Sequence, residues 1–309
     1  RVQLCLRVSA KLPAPPDFPW LRAQRMAKRT SEALAEAVKY FELAIALDPD
    51  FALAYVGLSD SYQLQILYSY LPKDEMNVKA ETAINKALAL DDKLGEAYAS
   101  LGLLNQQKND FAGAEIAYKK ALALNPNYAT AHQWYGALLT FLGRDKESWT
   151  LHQKALSLDP LSIIINFNVA NYMIWFGRFD EAMAQFEKMI EIDPTAHLGY
   201  YGKGNLYSQV YGRLDEAVPW FRKPISFDPK NPDHKAYLGA LYLDLGDDKQ
   251  AECWFNQAIM LSAENPWANM YKSYLHTNRN ENNLALAHAQ QAINVAPDNW
   301  EGLKISRHH

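Results

Sequence analysis

Cysteine is almost missing from this 309-residue chain, which holds two, Cys5 and Cys253, and no C-x-x-C pair. So sparse a set supports neither a disulfide framework nor a zinc cluster, and it leaves the redox compartment open. A basic excess is missing as well: 31 Lys plus Arg against 35 Asp plus Glu give a net charge of -4 and a pI near 6.1. Proteins that neutralise phosphates carry such an excess, so direct contact with nucleic acid is not expected. No apolar run approaches the ~18 residues of a membrane span, and the mean hydropathy of -0.31 agrees, so no membrane insertion is expected. The N-terminus lacks a signal peptide, its apolar stretches being broken by Gln3, Arg7 and Lys11. The first residue is Arg1 rather than Met, so the sequence reads either as a fragment or as a processed chain. The expected compartment is the cytoplasm, or the periplasm should a membrane-spanning segment precede Arg1.

Catalytic and cofactor signatures are missing too. There is no G-x-x-x-x-G-K-[ST], G-x-S-x-G or H-E-x-x-H. Gly202-Lys203-Gly204 falls inside a helical pattern, where its glycines serve as small contact residues rather than a phosphate cradle. Asp180-Glu181 and Asp215-Glu216 open helices and complement their dipoles. His132 and His152 take large-residue positions in one repeat. They read as polar core residues, because a metal site needs a third ligand that the neighbourhood does not offer. No acid, base and nucleophile assemble, so the chain is read as non-catalytic, with no cofactor and no metal.

A repeat fills what remains. Leu or Ile, then Asp or Asn, then Pro recurs at Leu47-Asp48-Pro49, Leu124-Asn125-Pro126, Leu158-Asp159-Pro160 and Ile192-Asp193-Pro194, with the variant Phe227-Asp228-Pro229 and a closing Val295-Ala296-Pro297. The prolines at 126, 160 and 194 stand 34 residues apart; the step to Pro229 is 35, with the extra residue expected around Tyr211-Gly212. Asp92 and Ala263 hold the proline's place in two units, and the step from Pro49 to Asp92 is 43, which places a nine-residue insertion around Leu67 to Met76. Within a unit, small residues such as Gly102, Ala114 and Ala121 alternate with large ones such as Tyr98, Leu101, Tyr118 and Leu122 at helical spacing. Glycine turns at Gly143, Gly177 and Gly246 separate two helices, and the proline ends the second. Such a pair cannot bury its apolar face alone, so neighbours must stack into one core.

These residues resemble the tetratricopeptide repeat family, whose 34-residue helix-turn-helix unit has this small-large-small pattern and closing proline. The resemblance implies an all-α, right-handed superhelical solenoid of about eight units over residues 17–297. Residues 1–16 form a leader and 298–309 a truncated terminal helix and tail. The leader, with Val2, Leu4, Leu6 and Val8 alternating, is either the edge strand of a missing upstream module or an ordinary chain terminus. The segments 29–62, 67–76 and 158–183 further resemble the C-terminal arrays of bacterial multi-domain regulators, either winged-helix activators of the CadC and HilA type or class III adenylate cyclases.

The resemblance implies a concave groove lined by the first helix of each pair. The expected lining includes Gln133, Phe167, Asn171, Tyr201, Asn205 and Tyr274. Asn171 and Asn205 occupy one position in successive units, where paired amides can hold an extended peptide by its backbone. Phe167 and Tyr201 would flank it. Chaperone adaptors of this family grip a carboxylate with lysines where this chain has Gln133, Phe167 and Tyr201, so Hsp70 or Hsp90 tails are not expected ligands. The implied function is protein or peptide recognition in a bacterial regulator or signalling protein. A freestanding adaptor in secretion or envelope assembly and a small-molecule-sensing groove remain as alternatives. Self-association is expected if the apolar side of the stretch from Trp300 to Ile305 finds its cover in another copy. The inserted Tyr68, Tyr70 and Leu71 form either a contact patch or a cover for the core. Pro219 and Pro224, both in one second helix, mark either a hinge or an irregular repeat.

Overall fold

A computed structural model describes residues 31–68 and 71–296, and all of the described elements are helical. The expected leader, the first helix of the first repeat and the terminal stretch from Trp300 to Ile305 lie outside the described residues. The chain divides into two compact units, residues 1–151 and 152–309.

In the first unit α1 (Ser31–Leu47) precedes three helix pairs: α2 (Ala52–Tyr68) with α3 (Lys73–Leu90), α4 (Gly95–Gln107) with α5 (Phe111–Leu124), and α6 (Ala129–Phe141) with α7 (Asp145–Leu158), in which the unit boundary falls. Successive first helices α2, α4 and α6 also touch one another. The second unit pairs α8 (Ile163–Trp175) with α9 (Phe179–Ile192) and α10 (His197–Asn205) with α11 (Leu214–Phe227). It continues with α12 (Pro232–Asp244) on α13 (Asp248–Leu261) and α14 (Pro266–Asn278) on α15 (Asn282–Val295).

The repeat pattern accounts for this local structure. In the pairs from α4 to α15 the turn takes a left-handed residue, and Gly143, Gly177, Gly212 and Gly246 adopt φ between 66° and 74° there. Asn109 and Asn280 fill the same place at φ 62° and 61°, as the short polar side chains that tolerate this conformation do. The large residue of each second helix closes the pair: Tyr118, Phe186 and Phe255 share one place in the repeat, and all three are fully buried. Their rings need the glycines opposite. A Cβ on Gly102 would stand 2.6 Å from the Tyr118 ring, and one on Gly239 2.5 Å from Phe255.

The two length irregularities are absorbed differently. The insertion extends both helices of its pair: α2 has 17 residues where α4 has 13, and α3 has 18 where α5 has 14. Whole extra turns keep the apolar faces in phase, which is why so long an insertion is tolerated. Tyr68 and Leu71 are exposed at its tip, and Tyr70 lies outside the described residues. The extra residue of the 35-residue unit sits earlier than Tyr211-Gly212. It opens a π-helical segment, Leu206–Val210, that follows α10, with Tyr211 N–H bonded five residues back to the Leu206 carbonyl at 3.0 Å.

Candidate functional site

The first helices of each unit present a face that the second helices do not cover. In the first unit a buried polar seam joins the first helices α2 and α4. Gln63 Nε2 donates to Ser59 Oγ (3.0 Å), Ser100 Oγ (3.0 Å) and the Ser100 carbonyl (3.2 Å), and Gln107 Nε2 donates to the Gln63 carbonyl at 3.2 Å. Gln133 is packed inside α6 with 4% of its surface exposed. A depression of about 260 Å³, lined by Tyr135, Leu139, Glu147, Thr150 and Leu151, also belongs to this unit. It is smaller than ordinary ligand pockets.

The other five expected residues lie in the second unit. Asn171 on α8 and Asn205 on α10 are both exposed, and Phe167 and Tyr274 are half-buried. Phe167 packs on Phe186 at 6.2 Å between centroids. Tyr201 is 8% exposed, and its hydroxyl is hydrogen-bonded to Nδ1 of His234 on α12. Around that bond rings form a continuous chain. Tyr201 meets Phe221 at 5.7 Å, His197 at 5.7 Å and Tyr237 at 5.3 Å; Tyr237 meets Trp267 at 5.9 Å, and Trp267 meets Tyr271 at 6.2 Å. Burial pushes the His234 imidazole down to about 3 and lowers His197, while burial raises the Tyr201 phenol well above its ordinary value. Both groups are therefore neutral at pH 7, with the phenol donating to the imidazole.

Residues 95–128 match the family model of the tetratricopeptide repeat. No curated protein matches the chain in sequence. Among solved structures, it superposes on the Cut9-Hcn1 hetero-tetramer of the APC/C with TM-score 0.65 and 13% identity, covering 90% of this chain and 52% of that one. Yeast Tom70 gives TM-score 0.64 and 18% identity, covering 89% and 57%. The human IFIT1 dimer with m7Gppp-AAAA gives 0.61 and 17%, covering 86% and 69%. The fold is that of the tetratricopeptide repeats. The chain spans little more than half the length of the first two of these relatives. Such helical repeat scaffolds are typical of protein-protein interaction.

Charge on the tetratricopeptide face of the second unit was not legible in the sequence. Its first helices carry three lysines, and each is turned onto second helices. Lys203 Nζ pairs with Glu187 of α9 at 2.9 Å and lies 4.0 Å over the Trp220 ring of α11. Lys235 Nζ donates to Gln257 of α13 at 3.1 Å and stands 5.6 Å from the Trp254 ring. Lys272 Nζ donates to Asn256 of α13 at 2.7 Å. Helix α8 carries no charged residue, so Asp233 and Asp244 of α12 are the only other formal charges on these four helices. The two carboxylates sit at the ends of one stripe of α12, with Ala240 and Leu243 between them.

Sequence reading also missed the histidines that complete the Tyr201 cluster. Their signal was present: His197 and His234 stand near the start of consecutive first helices, where the repeat brings neighbours together. His152 takes the place in the repeat that Tyr118, Phe186 and Phe255 hold elsewhere. It is buried against Tyr172 with centroids 5.3 Å apart, and burial alone pushes it down to about 4. His132 bonds the Pro126 carbonyl through Nε2 at 2.9 Å. Among the described residues no cluster of three or more His, Cys, Asp or Glu is arranged to hold a metal, and no helix is long and apolar enough to cross a membrane.

Proposed function

We propose that the chain is a non-catalytic recognition module that binds an extended peptide, or an extended segment of a partner protein, on the first-helix face of residues 152–296. The observation that carries this reading is the pair Asn171 and Asn205, exposed at one position of successive units, with half-buried Phe167 one helical turn before Asn171. An amide offers both a donor and an acceptor, which is what an unpaired peptide backbone requires. The half-buried rings of Phe167 and Tyr274 supply apolar contact area. Human IFIT1 shares the fold and is seen with a capped RNA. Here the lysines are engaged away from the face, which favours a peptide over a phosphate backbone.

The resemblance of 29–62, 67–76 and 158–183 to bacterial regulator arrays supports placing this module as the regulatory or scaffolding part of such a protein. A peptide selected on the chain from a random display library tests the groove. Asn171→Ala with Asn205→Ala is expected to weaken its binding at least tenfold while leaving helicity unchanged. Undiminished binding by that double variant removes the site assignment.

A further inference from the structure

Resting on that reading, we infer that Trp175 determines specificity on the second unit's face, and that the segment bound there sets one large, uncharged apolar side chain against its ring. Trp175 ends α8 and is 74% exposed. Among the described residues it meets no other ring, and its indole N–H has no hydrogen bond. No other large apolar side chain is exposed on the first helices α8, α10, α12 and α14. Trp175 is the thirteenth residue of its helix; the thirteenth residues from the start of α10, α12 and α14 are Gln209, Asp244 and Asn278, all exposed. The repeat therefore asks for no apolar group at this place, and packing within the second unit does not account for a tryptophan there. In the first unit Phe141 holds the place and leans on Phe111 of α5, with centroids 5.1 Å apart. Trp175 has no such partner.

Its position suits a ligand held by the amides. Phe167, Asn171 and Trp175 follow one another at four-residue spacing and so share a side of α8. Asn171 and Trp175 stand one turn apart, about 6 Å along the helix, a distance that about two residues of an extended chain cover. A segment whose backbone is held by Asn171 thus brings a side chain onto the indole. Helix α10, which carries Asn205, touches α8 alongside. Charge complementarity fixes the kind of side chain. Helix α8 has no charged residue, and the one lysine of α10, Lys203, is paired with Glu187. Arg178, in the turn after α8, donates from Nε to Glu181 at 2.6 Å. A lysine or glutamate brought against the indole would lose water without meeting an opposite charge. A leucine or an aromatic residue loses only apolar surface that the ring covers.

The probe is the peptide that the display library yields on the whole chain, end-capped and fluorescein-labelled, with each residue changed in turn to alanine, lysine and glutamate. Polarisation is read with the unaltered chain and with Trp175→Ala, where loss of an exposed ring opens no cavity, and circular dichroism checks helicity. One apolar position is expected whose change to alanine costs about tenfold or more with the unaltered chain, but less than about twofold with Trp175→Ala. Lysine or glutamate at that position should cost more than alanine. Trp175→Phe should keep most of the coupling. Met260→Ala, which removes another exposed apolar side chain from second helix α13, should leave affinity unchanged. A peptide with no position coupled to Trp175 overturns the inference, and so does a coupled position that holds lysine or arginine. Met260→Ala weakening binding as much as Trp175→Ala also overturns it, because capture would then be unspecific apolar adhesion. Should an uncoupled peptide be lost in the Asn171 and Asn205 variant, the groove stands and only the role of Trp175 falls. A peptide that neither the asparagine pair nor Trp175→Ala affects, or a library that yields no binder, removes both.

Discussion

One residue position shows how side chains hold the repeats together. The fourth residue of a first helix repeatedly reaches back six residues to the turn that precedes it. Tyr55 Oη bonds the Pro49 carbonyl at 3.2 Å, His132 Nε2 that of Pro126 at 2.9 Å, and Asn166 Nδ2 that of Pro160 at 3.0 Å. Tyr200 Oη bonds the Pro194 carbonyl at 2.9 Å, and Asn269 Nδ2 bonds that of Ala263 at 3.0 Å. Three residue types, Tyr, His and Asn, are thus interchangeable because the place asks only for a donor at that reach. The turn carbonyl has left the helix ladder and needs a partner. Tyr200→Phe, which removes the donor and little else, is expected to cost about 0.5–1.5 kcal/mol in urea unfolding. A change near zero would mean that water serves that carbonyl equally well. The sequence showed His132 as a polar core residue but not its partner, since the carbonyl it meets is defined only once the turn is folded.

At the scale of the element, helix length was legible and its irregularities were only partly so. Period and turn residues locate every pair, and Asp180-Glu181 and Asp215-Glu216 do open α9 and α11. How the insertion divides between α2 and α3, and how the extra residue becomes a π turn, depends on which backbone path keeps buried side chains in register with the neighbouring pair. Both expected prolines lie within α11, which is helical from Leu214 to Phe227, with Pro224 buried and Pro219 exposed. Neither proline can donate to the helix ladder. At the exposed site no cavity follows from its removal. Pro219→Ala is therefore expected to stabilise the protein by about 1–3 kcal/mol, read as a rise in the melting temperature. An unchanged or lowered value would show that the proline's fixed φ contributes more than the missing bond.

The whole molecule carries an acid liability. His152, His197 and His234 are neutral in the fold because burial disfavours the charged ring, with His152 at about 4 and His234 at about 3. In the unfolded chain each returns to about 6.5. Folded values below unfolded ones mean that the unfolded chain binds more protons between them. Their contribution is therefore complete above pH 6.5 and is lost as pH falls toward the folded values, by up to about 1.4 kcal/mol per pH unit for each histidine. Urea midpoints should fall steadily from pH 6.5 to 5, before most carboxylates titrate. His152→Phe, which restores the aromatic residue found at that place in other repeats, should flatten the slope. A slope unaltered by that change would assign the acid sensitivity elsewhere.

The sequence alone determined the helix pairs, their left-handed turns and the large residues, such as Tyr118, that close several of the pairs. These follow from a period of 34 residues and from sterics within a few residues of each position, which any copy of the pattern repeats. Only the tertiary structure decided that Gln133 and Tyr201 are buried while Asn171 and Asn205 are exposed, and that Lys203, Lys235 and Lys272 point to second helices. A long flexible ammonium group goes where a carboxylate, an amide oxygen or a ring face is within reach. That choice is set by residues 16 to 22 positions away on a different helix, which helical periodicity within one segment does not record.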